Sequence, residues 1–593
     1  MMRPSAGAVS LDSTPLSALS AMAFVYTSPQ YSRWAPRIRR HLWALAPAAL
    51  ACVLATIALL LGWRGVDQAA QTYRVVQYQL HGLMLWDSGW YAGNFPLGYS
   101  VLFPAVAGTF GLRAVAVASA VVATWSFDRV IRTYLGARPL GTWYFAISTL
   151  LPVTIGQWPF LAGEAAGLLA LVCMQRGRRP LAVALGLLSA LFSPLAAAFL
   201  AMSCLAWAAY NLKRRRWIIA TAVVNLAVIG AIGLLFPGTG PFPFPWTGLV
   251  PTELLCLTAL TPLVRTTPAV RLGALFYAAS SLFSFVVANP LGGNAPRLAA
   301  SIGVPLLACF LTTPGPALAR LSQSSLLRRV ARGRNLFLPG RWRYLAVVLV
   351  VPFAVWQWAP WNGIITSPAR ASFTQASFYT PIVKELARVA PGPVRVEIPP
   401  TLDHWESAYV APYVALARGW ERQLDIADNP IFYTPGALTP SSYEAWLNAE
   451  GISYVALPTA PLDYAARAEG ALLRSGKLTD LAPVWSSPDW KLWRVTSSPG
   501  LISGPGTLDS LVPDHLTITA RAPGPMTVRV SYTGFWAVTS GNACVAPADV
   551  PTGAGAAASS PYRWTQVTAL SAGTIELSAS VLHPPVPAAC VSP

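Results

Sequence analysis

The sequence predicts an α-helical polytopic membrane protein with about eleven transmembrane helices, followed by an extracytoplasmic region of α/β and β-sandwich structure. Three observations predict this class. Of the 593 residues, 54% are hydrophobic and 11% are charged, and the mean hydropathy is +0.48, whereas a soluble protein carries about 25% charged residues. Apolar stretches recur through residues 41–361. From residue 362 onward, the apolar residues are spaced as in a soluble domain.

The apolar stretches identify the candidate spans. Several are shorter than the ~20 residues that a perpendicular transmembrane helix needs, so the span boundaries and the span count are approximate. The stretches are 42–63, 111–127, 141–157, 162–175, 181–193, 195–211, 217–236, 249–264, 272–288, 298–313 and 344–358.

Positive charge is concentrated between the spans. Residues 1–361 hold 28 Lys and Arg but 6 Asp and Glu, whereas residues 362–593 hold 14 and 17. The basic clusters fall in alternate loops, which the positive-inside rule places in the cytoplasm. We therefore expect a multi-pass protein of the plasma membrane with its amino terminus inside and its carboxyl-terminal region outside. The same distribution argues against nucleic-acid binding, despite a net charge of +19.

The composition divides the chain into four parts. Residues 1–40 are expected to form a basic, disordered cytoplasmic tail, and residues 41–361 a transmembrane domain whose first span is an uncleaved anchor. Residues 362–495 predict an α/β domain, and residues 496–593 a β-sandwich-like domain. The predicted elements are helices at 371–390 and 442–450 and strands at 394–398, 452–457, 516–520, 526–532, 536–539 and 574–580.

The seven cysteines follow the same division. Five lie in predicted spans, where a lone thiol behaves as a small hydrophobe. Cys544 and Cys590 lie in the exterior part, where they either pair in an oxidising compartment or remain free. The Cys and His spacings indicate no zinc site, so no metal ligands are predicted. The sequence also lacks a nucleotide-binding glycine motif, which argues against an ATP-driven mechanism.

Asp87 is the leading candidate for chemistry. It lies between the first two spans, in the segment Trp-Asp-Ser-Gly-Trp-Tyr-Ala-Gly-Asn-Phe-Pro-Leu-Gly-Tyr-Ser of residues 86–100. An ionised carboxylate there is suited to deprotonating a hydroxyl group, and Trp90 and Tyr91 are suited to stacking on a sugar ring. The alternative is that Asp87 caps a short interfacial helix and the aromatic residues belong to the membrane-interface belt.

Glu164 is the candidate for a second catalytic acid. It lies near the predicted outer end of a span, as do Asp67 and Glu253, which rank lower. Catalytic acids at the outer boundary suit a substrate that enters from the outer leaflet. The alternative is that Glu164 is favoured there by the helix dipole and only caps the helix.

Arg297 is the candidate for binding a lipid phosphate, with Arg74 and Arg64 as further cations. It ends the exterior segment 289–297, which also contains Asn294, a second substrate-binding candidate. A phosphate needs a cation or a helix amino terminus nearby. The alternative is an arginine that snorkels to the lipid headgroups.

His404 and Glu406 are candidates in the exterior domain. They lie in the segment 403–409, and a second charged segment with aromatic residues follows at 418–422. One interpretation is that this region covers the membrane cavity and selects the acceptor. The other is an ordinary salt-bridged surface loop.

These features together resemble the GT-C superfamily of membrane glycosyltransferases. The resemblance rests on the first span followed by an exterior loop with Asp87, the many further spans and the exterior carboxyl-terminal domain. The motifs at 90–93 and 96–100 and the segments 289–297 and 418–422 also resemble large actinobacterial membrane proteins of this architecture. The resemblance implies a polyprenyl-phosphate sugar as donor and Asp87 as base. The loop has no paired Asp-Asp or Asp-Glu, so a need for a divalent cation stays open.

Three functions are consistent with the sequence. The first is transfer of a sugar from a lipid-linked donor to a glycan or lipid acceptor of the cell envelope, in contact with membrane lipids. The second is a non-catalytic protein that assembles the envelope or binds glycans. The third is a lipid or solute transporter, which predicts dependence on residues deeper within the spans.

Overall fold

A computed structural model describes residues 29–135, 139–237, 240–262, 264, 266–311, 342–366, 371–548, 564–581 and 590. Most of the predicted disordered tail lies outside these residues. So does most of residues 320–343, a basic segment between the last two predicted spans. The first described helix begins at Pro29, within the carboxyl end of the predicted tail.

The first half of the described chain is helical. Its helices are α1 Pro29–Leu61, α2 Gln68–His81, α3 Pro96–Tyr99, α4 Phe103–Phe110, α5 Leu112–Leu135, α6 Leu140–Ser148, α7 Leu150–Ile155, α8 Trp158–Gln175, α9 Arg179–Phe192, α10 Pro194–Ala208, α11 Arg215–Leu235, α12 Trp246–Leu260, α13 Pro268–Val286, α14 Val304–Phe310, α15 Trp342–Trp358 and α16 Trp361–Thr366.

Five helical segments are long and apolar enough to cross a membrane. They are Trp43–Leu61, Leu112–Leu135, Trp158–Gln175, Arg215–Leu235 and Pro268–Val286. Each of the other predicted spans coincides with a shorter apolar helix. One of these, α14, follows a π-helical turn at Ala299–Gly303. The protein thus has the helical membrane region that composition predicts, while the count of about eleven spans stays a prediction.

Helix α2 is an amphipathic helix outside the predicted spans. It carries polar residues along most of its length, and eight of its fourteen residues are buried. It packs against α4 and against a short helix of the carboxyl-terminal region. The polar side chains of α2 are thus enclosed by protein, where they need hydrogen-bond partners within it.

An α/β unit occupies residues 371–495. Its five-stranded sheet has the order β2-β1-β3-β5-β4, in which β1 is parallel to β2 and β3 and the other pairs are antiparallel. Tyr379, Val396 and Trp490 lie in its apolar core. Its elements are α17 Ala376–Val389, β1 Arg395–Glu397, α18 Glu406–Tyr409, β2 Ala415–Leu416, α19 Arg422–Asp428, α20 Pro440–Ala449, β3 Ile452–Pro458, α21 Arg467–Arg474, β4 Leu481–Ser486 and β5 Trp490–Val495.

A β-sandwich follows. Two four-stranded antiparallel sheets, with the orders β10-β13-β8-β7 and β11-β12-β9-β6, enclose an apolar core. A disulfide joins Cys544 in β11 to Cys590, so the two cysteines pair. The strands are β6 Ile502–Ser503, β7 Gly506–Val512, β8 His515–Ala520, β9 Gly524–Ser531, β10 Trp536–Ser540, β11 Ala543–Pro547, β12 Trp564–Ala569 and β13 Gly573–Ala579.

Candidate functional site

Asp87 lies in a buried loop. Its side chain is 2% exposed, and its backbone exchanges two hydrogen bonds of 2.9 Å with Asn94 in an isolated β-bridge. The next helix, α3, begins only at Pro96 with Phe95 as its N-cap. The alternative in which Asp87 caps an interfacial helix is therefore wrong.

Two hydrogen bonds fix the Asp87 carboxylate. Oδ1 accepts from the Gly89 N–H and from the Tyr73 hydroxyl, each at 2.9 Å. A side chain at position 89 would collide with the Tyr73 hydroxyl, so only glycine permits this approach. Burial raises the pKa of Asp87 to about 6, although both hydrogen bonds and the charge of Arg74 limit the rise. A base with this pKa is largely ionised at neutral pH and is suited to taking up a proton.

Both carboxyl-terminal units bind the backbone of the Asp87 loop. The α/β unit donates from Leu416 N–H to the Gly89 carbonyl at 2.9 Å. The β-sandwich donates from Ser531 N–H to the Ala92 carbonyl, also at 2.9 Å. The loop is therefore enclosed by all three parts of the protein.

Trp90 and Tyr91 are buried by this packing. Both belong to the apolar core of the α/β unit, and Trp90 stacks on Tyr73 with 4.2 Å between ring centroids. The Tyr91 hydroxyl donates to the Glu421 carbonyl at 3.0 Å. The alternative that places these rings in a membrane-interface belt is wrong. Stacking on a sugar, as predicted, requires that this packing opens.

A small pocket adjoins Asp87 beneath α2. It is lined by Tyr73, Arg74 and Asp87 together with apolar residues that include Leu83, Leu97 and Val101. Its volume is about 20 Å³, which is room for a water molecule. The pocket thus places a carboxylate and a guanidinium at the boundary between a polar helix and the apolar helices.

Arg74 connects the pocket to the α/β unit. Its Nη2 pairs with Oε1 of Glu421, and its guanidinium lies over the Tyr99 ring at 3.9 Å. Its Nη1 is buried and has no hydrogen-bond partner among the described residues. An unpartnered buried donor costs about 1–3 kcal/mol, so an acceptor from a ligand would stabilise this arrangement.

Arg297 lies in a neighbouring ion pair. Its Nη2 is 3.5 Å from Oδ2 of Asp67, and its guanidinium lies over the Phe160 ring at 5.9 Å. Burial raises the pKa of Asp67, although Arg297 and Arg74 lower it. Arg74 and Arg297 are therefore each paired with an acid, and Arg297 is the more exposed of the two. Asn294 is half-buried in the short 3-10 helix that precedes Arg297.

Glu164 is the seventh residue of α8, which begins at Trp158. The helix dipole acts within the first turn, so the interpretation of Glu164 as a cap is wrong. Its carboxyl group lies beside Ser301 in the π-helical turn. Neither carboxyl oxygen has a hydrogen-bond partner in the described part of the chain. Glu164 is absent from the lining of the Asp87 pocket, and its predicted role as a second acid stays untested.

His404 and Glu406 are buried within the α/β unit, so the surface-loop alternative is wrong. His404 has a positive φ of 56°, its Nε2 is 3.2 Å from Nη2 of Arg422, and its Nδ1 is 3.6 Å from Oε1 of Glu406. Burial, with the Arg422 charge, lowers the pKa of His404 to about 4, which leaves a neutral imidazole. Oε2 of Glu406 accepts two hydrogen bonds from Thr401. These contacts are typical of an interior polar cluster.

Arg64, the third predicted cation, also makes contacts within the protein. Its Nη1 donates to the Tyr409 hydroxyl at 3.1 Å, and its guanidinium lies over the Trp405 ring. It therefore joins the membrane region to the α/β unit. No group of three or more His, Cys, Asp or Glu side chains that suits a metal ion was found within the described ranges.

Tyr73, Glu421 and Asp514 are site residues that sequence reasoning did not find. Tyr73 contacts Asp87 across 14 residues of chain, but Glu421 is 347 residues from Arg74. The spacing of Tyr73 and Gln77 on one helix face was a usable local signal. Glu421 lies in the charged segment 418–422, but the sequence does not indicate its contact with Arg74, and it has no local signal for Asp514.

Solved structures that resemble the chain include three membrane-protein structures. Two are cryo-EM structures of the arabinofuranosyltransferase AftD from Mycobacteria, with TM-scores of 0.44 and 0.43 and 13% identity, covering 90% and 91% of this chain. The third is ArnT from Cupriavidus metallidurans, with a TM-score of 0.42 and 14% identity, covering 78% of this chain and 99% of its own. This chain spans 61% and 57% of the AftD chains.

AftD and ArnT are GT-C membrane glycosyltransferases, the superfamily that the sequence resembles. No protein-family model matches the chain, and no curated protein matches it significantly. The geometry around Asp87 is therefore the basis for a functional conclusion.

Proposed function

We propose that this protein is a membrane glycosyltransferase that transfers a sugar from a polyprenyl-phosphate donor to a cell-envelope glycan or lipid. One observation carries the proposal. A buried carboxylate, Asp87, shares a pocket with the guanidinium of Arg74 at the edge of the apolar helices. A base beside a cation is what transfer from a phosphate-linked sugar to a hydroxyl requires.

Asp87 is the proposed base. The hydrogen bonds from Tyr73 and Gly89 engage Oδ1, so Oδ2 is the oxygen left to approach an acceptor hydroxyl. The carboxylate takes the hydroxyl proton while the acceptor oxygen attacks the anomeric carbon. The bond from that carbon to the phosphate oxygen breaks, and the polyprenyl phosphate leaves with the electron pair. Attack opposite the leaving group inverts the anomeric centre, and the proton on Asp87 then passes to solvent.

Arg74 is the proposed phosphate ligand closest to the base, because it lines the pocket and its Nη1 lacks a partner among the described residues. Arg297 is the second cation, and it lies in the ion pair with Asp67. Positive charge at these positions stabilises the charge that develops on the departing phosphate. We place Asp87, Arg74 and Arg297 in the extracytoplasmic half of the protein on the positive-inside rule.

The disulfide supports the same orientation. Cys544 and Cys590 are bonded, and disulfides persist in oxidising compartments outside the cytoplasm. With the β-sandwich outside the cell, the Asp87 loop that it contacts is outside as well.

The second candidate function is a non-catalytic assembly protein. The observation that favours it is the enclosure of the Asp87 loop by both carboxyl-terminal units, with a pocket of about 20 Å³. A sugar phosphate does not fit this volume without movement of the loop or of a carboxyl-terminal unit. In the assembly protein this closed arrangement would be permanent.

Transfer of radiolabelled sugar by the purified full-length protein separates the two functions. Wild type, Asp87→Asn and a control, Asp509→Asn, would be compared with a panel of polyprenyl-phosphate donors. Asp509 accepts hydrogen bonds from Thr507 and Thr519 and lies away from the loop. We expect transfer by wild type and control and a loss of about 10²–10⁴-fold in Asp87→Asn. A panel without any transfer would contradict the proposal and favour the assembly protein.

A further inference from the structure

Asp514 of the β-sandwich holds the residues just before Asp87. Asp514 lies in the turn between β7 and β8 with a positive φ of 59°. Its Oδ2 accepts from the Leu85 N–H at 2.9 Å, and its Oδ1 accepts from the Trp86 N–H at 2.6 Å. Its own N–H donates to the Trp86 carbonyl at 3.0 Å. One residue thus forms three hydrogen bonds to two consecutive residues of the loop.

The side chain of Trp86 strengthens this attachment. Its ring belongs to the apolar core of the β-sandwich together with Leu516, Val528 and Leu577. The Asp514 carbonyl accepts from the Ala579 N–H at 2.9 Å, which connects the turn to the neighbouring strand β13. A movement of the turn would therefore move the backbone immediately before Asp87.

We infer that Asp514 is a positioning residue for Asp87, and that the β-sandwich is for this reason a required part of the catalytic unit. The inference rests on the proposed function of Asp87 as a base. A catalytic group must lie within hydrogen-bond reach of the proton that it takes, and a displacement of about 1 Å can reduce a rate about 10²-fold.

The charge of Asp514 acts on the same base. Among the described residues, the groups that act on the Asp87 carboxyl are the Gly89 N–H, Tyr73, Arg74 and Asp514. The negative charge of Asp514 contributes to the raised pKa of Asp87, whereas the other three lower it. Removing that charge therefore lowers the pKa of Asp87, and the acid limb of the rate profile moves to lower pH.

Two substitutions test the role of Asp514 without straining the left-handed backbone at that position. Asn tolerates the left-handed backbone of position 514, and Gly adopts it freely. Asp514→Asn removes the charge but keeps one acceptor oxygen. Asp514→Gly removes both acceptors. Asp509→Asn is the matched control, because it removes an acid from the same hairpin without touching the loop.

Steady-state transfer and hydrogen exchange would be measured on full-length protein in detergent or nanodiscs. In both Asp514 variants we expect kcat to fall by as much as about 10²-fold with little change in donor KM. We expect the acid limb to move to lower pH in Asp514→Asn. The amides of Leu85 and Trp86 should exchange faster in Asp514→Gly, and the control should resemble wild type throughout.

The outcomes separate this inference from the proposed function. If wild type transfers sugar and both Asp514 variants keep its kcat and pH profile, the inference is overturned while the role of Asp87 stands. If wild type transfers nothing, the proposed function fails. In that case, hydrogen exchange in Asp514→Gly still tests whether Asp514 holds the loop. Unchanged exchange at Leu85 and Trp86 would overturn this structural role as well.

Discussion

The hydroxyl of Tyr73 donates a 2.9 Å hydrogen bond to Oδ1 of Asp87 and accepts one of 2.8 Å from Nε2 of Gln77. The Tyr73 ring also stacks on Trp90. Helix α2 therefore positions the Asp87 carboxylate through Tyr73, which is itself held by Gln77 and Trp90. A hydrogen bond to the charged form of an acid lowers its pKa, so Tyr73 limits the effect of burial on Asp87.

Tyr73→Phe should move the pH dependence of transfer. Without the Tyr73 hydrogen bond, the pKa of Asp87 rises above its value of about 6, and less of the base is ionised at neutral pH. In wild type we expect kcat/KM to fall about tenfold per pH unit below the pKa, and in Tyr73→Phe the same fall should begin at higher pH. An acid limb that stays in place would contradict the role of Tyr73.

Asp87→Asn should make the protein more stable while it lowers the rate of transfer about 10²–10⁴-fold. The folded-state pKa of Asp87, about 6, lies above the ordinary value of 3.8, so the folded state binds the proton more tightly than the unfolded state. Stability is therefore lost as the pH rises from 3.8 through 6, by about 3 kcal/mol in total. Melting temperatures should be higher in the variant at pH 8 and similar at pH 4. A lower melting temperature at pH 8 would refute this.

Substitutions of Arg74 and Glu421 should distinguish a structural role of Arg74 from a role in phosphate binding. Both side chains are buried, so Arg74→Gln or Glu421→Gln alone leaves an unpaired charge and costs about 3–5 kcal/mol. The double variant removes both charges, and we expect its melting temperature to recover. Transfer should not recover, because the phosphate ligand is still missing. A double variant with wild-type donor KM would show that Arg74 only joins the two parts.

The sequence predicts the helical half of the protein well, because lipid and core contacts both require apolar residues at helical spacing. Predicted strands such as 516–520 and 536–539 lie within about one residue of β8 and β10. The strands that were not predicted are β2, β4, β5, β6, β7, β11 and β12. Two of them, β2 and β6, have only two residues, and β4 and β11 contain proline, which weakens the alternating pattern.

The candidate site was only partly predictable for a different reason. Asp87 stands out because residues 1–361 hold only 6 Asp and Glu, and Arg74 because the loops that are predicted to lie outside contain few basic residues. The residues that connect this site to the other domains are Asp514, which is 428 residues from Trp86, and Glu421, which is 347 residues from Arg74. Periodicity and local spacing contain no information on such contacts. The burial of Trp90 was missed likewise, because it depends on the docking of the α/β unit.

Glu164→Gln should leave transfer intact. The Glu164 side chain is buried, neither oxygen has a partner within the described ranges, and it is absent from the pocket that contains Asp87. Gln has nearly the same volume and is neutral, so it avoids the cost of a buried charge. We expect wild-type kcat and a melting temperature that is equal or higher. A loss of kcat with normal folding would instead establish Glu164 as the second acid.

The orientation can be tested through the disulfide. If the β-sandwich is outside the cell, an impermeant reductant should free Cys544 and Cys590, and an impermeant maleimide should then label them on intact cells. Without reduction neither should be labelled, because both are bonded. A Cys544→Ser, Cys590→Ser double variant is the control, since four of the five remaining cysteines are buried. Labelling that requires lysis of the cells would place the β-sandwich inside, and the proposed extracytoplasmic reaction would then be wrong.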